Sequence, residues 1–132
     1  MSNRKFPTNV LKQAQDVHPV FSADEIKMCR QLVEKIHIKE ELIDYIARIV
    51  FNTRNNGDLF LGASPRASLS IMKASKALAA ISGRDFVTPD DIRFVTAPVL
   101  NHRIILNPER EMEGVEVEQV INDVIQKIEV PR

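Results

Sequence analysis

The sequence predicts an all-α fold, a bundle of five helices joined by a few short extended links. Three observations carry that reading. Aliphatic residues recur at i, i+3 and i+4 along most of the chain. Helix-start signals stand at Ser22, at Ser64–Pro65 and at Thr88–Pro89. Trp is absent, and there are one Tyr and four Gly, a poor supply for a sandwich or barrel built of β-strands.

The elements follow in order. Residues 1–21 read as a connector, in which Pro7 and Pro19 bracket a short amphipathic piece with Val10, Leu11 and Ala14. Residues 22–132 form the helical domain. Ser22-Ala23-Asp24-Glu25 has the form of a capping box, in which the hydroxyl takes an orphan amide and Glu25 reaches back. Ile26, Cys29, Leu32, Val33 and Ile36 then mark one face of a first helix, with Cys29 expected as a small buried hydrophobe. Ile36-His37-Ile38 alternates like a short extended link. A second helix covers about 40–54, with Leu42, Ile43, Ile46, Ala47, Ile49 and Val50 on its apolar face. Glu40 and Glu41 complement the positive end of its dipole, and Asn55-Asn56-Gly57 ends it.

A third helix is expected from Pro65, with Ser64 as its N-cap. It is Ala-rich and apolar on most sides toward its end, which predicts a central, buried position, and Ser82-Gly83 closes it. Phe86-Val87 reads as extended. Thr88-Pro89-Asp90-Asp91 starts a fourth helix carrying Ile92, Val95 and Val99, which Pro98 should kink or break. Arg103–Leu106 reads as extended. The last helix, about 117–128, has the cleanest period: Val117, Val120, Ile121, Val124, Ile125 and Ile128.

Composition narrows the function classes. The chain has 132 residues, 44% hydrophobic and 27% charged, which suits one globular domain and needs no disulfide staples. Lysines and arginines equal the acids, 18 against 18, so a dedicated nucleic-acid binder is not expected. Charge is nevertheless uneven: Arg66–Arg103 is net +3, and the chain from Glu109 onward is net −4. The single cysteine excludes an internal disulfide and suits a reducing compartment. No stretch reaches the roughly 18 apolar residues of a membrane helix. The N-terminus has no apolar signal-peptide region, so a soluble cytoplasmic protein is the expectation.

Few residues are placed for chemistry. His18, His37 and His102 are far apart in sequence and show no metal-ligand spacing, so each reads as a surface or satisfied structural histidine. Gly57–Ser64 has the spacing of a phosphate-binding P-loop, but Ala63 stands at the lysine position and the interior is the bulky Leu59-Phe60-Leu61. Leu42-Ile43-Asp44, the nearest approach to an aliphatic strand ending in Asp-Glu, lies in helical periodicity. Arg66 is different. A cation at a helix start opposes the dipole, and local violations of such rules mark functional sites. Beside helix-start amides its guanidinium is an anion receptor, and Ser70 and Lys73 follow on the same face. The alternative is a solvated Arg66, or one paired with Asp58.

GASPRAS (62–68), the Ala-rich helix after it, GRDFVTPDDIRFVTAPVLNHRIIL (83–106) and the ending NPEREMEGVEVEQVINDVIQKIEVP together resemble the C-terminal lid domain of MoxR-type AAA+ ATPases. The resemblance spans about residues 17–132 and weakens toward VHPVFSADEI. It implies an AAA+ lid fold, with residues 1–21 as the connector to an absent ATPase core. Arg66 takes the sensor 2 role and approaches the γ-phosphate of ATP, with Ser64 and Pro65 completing the nucleotide-facing helix start. ATP and Mg2+ belong to the parent protein and are held mainly by its core, whose P-loop and Asp-Glu motif this chain lacks. The chain alone is therefore expected to be inactive. The implied parent hydrolyses ATP as a homo-oligomeric ring, a hexamer, and matures or remodels partner proteins, often ones with von Willebrand factor A domains. The competing readings are a stand-alone protein-interaction adaptor and a histone-fold-like DNA-binding domain, the latter suggested by VTPDDI and the net +3 segment.

Overall fold

The computed structural model describes residues 17–131. Pro7, Val10, Leu11 and Ala14 of the expected connector lie outside them. The order of elements is α1 (Ala23–Glu34), α2 (Glu40–Arg54), β1 (Leu59–Leu61), α3 (Arg66–Ile81), α4 (Pro89–Leu100), β2 (Ile105–Leu106), α5 (Pro108–Met112) and α6 (Val117–Gln126). The all-α reading holds. To the five expected helices the structure adds the five-residue α5, which starts at a proline in its first turn, where the missing amide is no loss. β1 is also new, because its three residues are too short to show a period of two. It pairs antiparallel with β2, Leu59 opposite Leu106 and Leu61 opposite Ile105, with an irregularity between Leu59 and Leu61.

The chain divides into two compact units at Arg30/Gln31. In the first, the predicted capping box is present: the Ser22 amide and hydroxyl donate to Glu25 Oε2 at 2.7 and 2.9 Å, and the Glu25 amide donates back to Ser22 Oγ at 3.2 Å. These bonds to Ser22 hold the Glu25 carboxyl below its ordinary range. Helix α1 contains no buried residue, and Cys29 is exposed rather than buried. The periodicity of α1 is real, but an apolar stripe is buried only where another element packs on it.

In the second unit, α2, α3, α4 and α6 close a ring around one core: α2 packs on α3, α3 on α4, α4 on α6 and α6 on α2. Ile46, Ile49, Ile71, Ile92, Leu100 and Ile121 are almost completely removed from water, each contributing roughly 1.5–3 kcal/mol of transfer free energy. Helix α3 is central, but only its stripe of Ala67, Ile71, Ser75 and Ala79 is buried, and Leu69 and Ile81 are exposed. Alanine on its other faces reflects helix propensity rather than all-round burial. The buried hydroxyls are satisfied locally, Ser75 Oγ on the Ile71 carbonyl at 2.8 Å and Thr96 Oγ1 on the Ile92 carbonyl at 2.6 Å.

Pro98 does not break α4, which runs on to Leu100. It sits in the last turn, where little helix remains to be interrupted. Helix α6 ends at Gln126, two residues earlier than expected, although Ile128 is still buried.

The joint between α3 and α4 is tied from both sides. Gly83 (φ 73°) ends α3 in a Schellman turn: its amide donates to the Ala80 carbonyl and that of Arg84 to the Ala79 carbonyl, both at 3.0 Å. Arg84 then grips Asp91 with two nitrogens at 2.8 and 2.6 Å. Asp91 also accepts from the Thr88 amide at 2.8 Å and the Thr88 hydroxyl at 2.9 Å, completing the cap of α4. The link after α1 joins this knot: the His37 amide donates to the Asp85 carbonyl at 2.8 Å, and the Val87 amide to the His37 carbonyl at 2.9 Å. This is the short parallel bridge that the two extended links, 36–38 and 86–87, foreshadow.

Candidate functional site

The GASPR segment is shaped by what lies beneath it. A Cβ added to Gly62 would stand 2.5 Å from the Thr53 carbonyl oxygen and 2.6 Å from Arg54 Cα, so only glycine lets the chain lie directly on the end of α2. Ala63 is wholly buried, and its amide donates to Thr53 Oγ1 at 3.0 Å, while that hydroxyl donates to the Val50 carbonyl at 2.7 Å. At the next residue the chain turns outward. Ser64, Pro65 and Arg66 are exposed, and Ala67 returns to the core. A strand, a backbone-to-backbone contact, a buried alanine and a proline thus deliver Arg66 to the surface at the start of α3.

The helix start differs in detail from the expectation. Pro65 is the N-cap, already at helical dihedrals (φ −55°, ψ −27°), and no side chain caps α3, Ser64 included. The amide of Ala67 donates to the Ser64 carbonyl at 2.9 Å and that of Ser68 to the Pro65 carbonyl at 3.1 Å. Two first-turn amides, those of Ala67 and Ser68, are thus already engaged, and the most exposed group offered to an anion here is the Arg66 guanidinium. The first turn holds no acid. Arg66 makes no ion pair among the described residues. Asp58 is not its partner, because Asp58 is bound by Arg110 at 2.9 Å. Ser70 lies on the same face, its hydroxyl 3.5 Å from the Arg66 carbonyl, and Lys73 is exposed beyond it.

Other sequence candidates fall into place as structure. The P-loop spacing at Gly57–Ser64 is a ribbon strand followed by the packed Gly62-Ala63 pair, with the Ala63 amide already committed to Thr53. Leu42-Ile43-Asp44 is helical. His18, His37 and His102 are all exposed, and no cluster of metal-ligating side chains occurs among the described residues. No helix among them is long and apolar enough to cross a membrane. Sequence reasoning missed Thr53, whose role depends on a contact ten residues away, and the grip of Arg84 on Asp91. The spacing of a basic residue just after a helix-closing glycine and an acid at the third position of the next helix was the available signal for the latter.

From Gln31 onward the described residues form a closed ring of short helices with Arg66 exposed at the start of α3. The profile of the AAA lid domain family matches residues 51–124, and the chain belongs to that family. Among curated relatives, the chaperone MoxR1 of Mycobacterium tuberculosis is 34% identical over 122 residues, covering 86% of this chain and 32% of its own length. An uncharacterized protein of Bacillus subtilis, YeaC, is 32% identical over 117 residues, 89% of this chain and 37% of its own. A crystal structure of a protein from Cytophaga hutchinsonii, assigned as an ATPase, superposes with a TM-score of 0.81 at 32% identity, over 94% of this chain and 42% of that one. The chain spans about a third of the length of the curated relatives it matches.

Proposed function

We propose that this domain is the lid of an ATP-hydrolysing AAA+ machine and that Arg66 is its sensor 2 residue, meeting the γ-phosphate of ATP held by an ATPase core. The observation that carries the reading is the delivery of an exposed guanidinium, with no ion pair among the described residues, to an acid-free helix start. ATP and Mg2+ supply the phosphoryl group and its charge neutralisation when bound to such a core. The part played by this chain is to hold one cation where negative charge develops. Ser64 and Pro65 set its position, and Gly62 and Ala63 fix both to α2. Because Arg66 is mounted on a rigid ring of helices, the presence or loss of one phosphate biases the placement of the whole domain. Assembly as a homo-oligomeric ring, a hexamer, and chaperone-like remodelling of partner proteins, including ones with von Willebrand factor A domains, belong to the same proposal, as does a cytoplasmic location.

The test is a chimaera in which residues 17–131 replace the corresponding segment of the Cytophaga hutchinsonii relative. ATP turnover is expected to survive the exchange and to fall at least about tenfold on Arg66→Ala, a modest share of the roughly 10³–10⁵ that arginine fingers contribute. Equal turnover with and without Arg66 overturns the assignment. The 132-residue chain by itself is expected to show no turnover.

A further inference from the structure

We infer that Lys73 is a second contact for the polyphosphate chain that Arg66 meets, so that the outer ridge of α3 binds a tri- but not a monophosphate through two points. The inference rests on the proposed role of Arg66 and extends it along the helix. Arg66 and Lys73 are seven residues apart, which on an α-helix places them within about 20° of each other and about 10.5 Å apart along the axis. The buried stripe through Ser75 lies about 180° away, so both cations stand on the crest of the exposed face.

Their neighbours leave them uncommitted. Of the lysines and arginines from Arg66 to Arg110, all but these two have a partner: Lys76 the Glu34 carbonyl at 3.1 Å, Arg84 Asp91, Arg93 the Tyr45 hydroxyl at 3.4 Å, Arg103 the Val99 carbonyl at 3.1 Å, and Arg110 Asp58 and Glu113. Arg66 and Lys73 make no hydrogen bond through their side chains and no ion pair among the described residues. From Gly62 to Gly83 the chain contains no acid at all, so no carboxylate on the helix competes with an incoming anion. Between the two cations the helix carries the exposed Leu69 on one flank and the small Ser70 on the other, with Ala77 beyond, so a ligand lies low along the Ser70–Ala77 flank, where both long side chains can close on it. The amides of Ala67 and Ser68 are bonded to carbonyls, so the contact is made chiefly by the side chains. A triphosphate fills the gap of about 10.5 Å between the two cations with their side chains extended, whereas a single phosphate would need both to lean inward along the helix.

The experiment is calorimetric titration of the 132-residue chain with inorganic tripolyphosphate and, separately, orthophosphate at low ionic strength. Lys73→Gln is expected to weaken tripolyphosphate binding about three- to tenfold and to leave orthophosphate binding unchanged. Lys76→Gln, engaged elsewhere, is the control and should change neither. If Arg66→Gln weakens tripolyphosphate binding while Lys73→Gln does not, the two-point contact is wrong and the role of Arg66 stands. If neither substitution matters, or the unsubstituted chain binds no tripolyphosphate, the ridge is not a polyphosphate site. An equal loss for both anions on Lys73→Gln shows general attraction and also overturns the inference. Circular dichroism of each variant separates loss of contact from loss of fold, and Lys73→Arg, which keeps the charge, should restore affinity.

Discussion

Arg66 and Gly62 are read at different depths. Arg66 is conspicuous in the sequence because a cation at a helix start violates a simple electrostatic preference. Gly62 enters the sequence reading as the second glycine of a P-loop spacing, yet its lack of a side chain is what allows the loop to rest on α2. Gly62→Ala would put a methyl group 2.5 Å from the Thr53 carbonyl oxygen, and the atoms that must yield are backbone. The substitution is expected to lower unfolding stability by about 1–3 kcal/mol in urea titrations and to disturb the placement of Arg66. By contrast, nothing lies within 4 Å of a Cβ on Gly57, so Gly57→Ala should change stability by no more than about 0.5 kcal/mol. Equal effects at the two glycines would remove the packing explanation of the GASPR segment.

Among the elements, α4 depends on a single carboxylate. Asp91 caps its helix and receives the fork of Arg84, and these bonds hold its carboxyl below the usual range, Arg84 first, against burial that pushes it up. A carboxylate depressed in the folded state stabilises at pH values above its unfolded pKa of about 3.9. That contribution disappears as pH falls through the folded value. Asp91→Asn is therefore expected to cost about 2–4 kcal/mol at pH 7, where an arginine loses its charged partner. The gap between wild type and variant should narrow as the pH of the unfolding experiment drops below about 4. A gap that stays constant between pH 7 and pH 3 would show that the ion pair is not the cause. The capping residues of α1 and α4 were legible because a cap is local, within three residues. The fork from Arg84 was not, because it spans a turn whose shape depends on Gly83 and on the core beneath Val87.

Over the whole molecule, the ring of α2, α3, α4 and α6 lies within the unit that begins at Gln31. A chain of residues 31–132 is expected to unfold cooperatively, with a stability within about 1 kcal/mol of the full chain, as measured by denaturant titration. A molten or insoluble product would show that the core needs the preceding residues.

By itself the sequence determined the helical class, the caps of α1 and α4 and the exposed arginine, since each is encoded within one or two turns by periodicity, dipole and backbone preference. Which apolar faces would meet was left to the tertiary structure. It buried one stripe of α3 and left α1 bare, turned a P-loop spacing into a packed ribbon end, and took Asp58 away from Arg66. Those outcomes depend on contacts between residues far apart in the chain, whose energies no local pattern records.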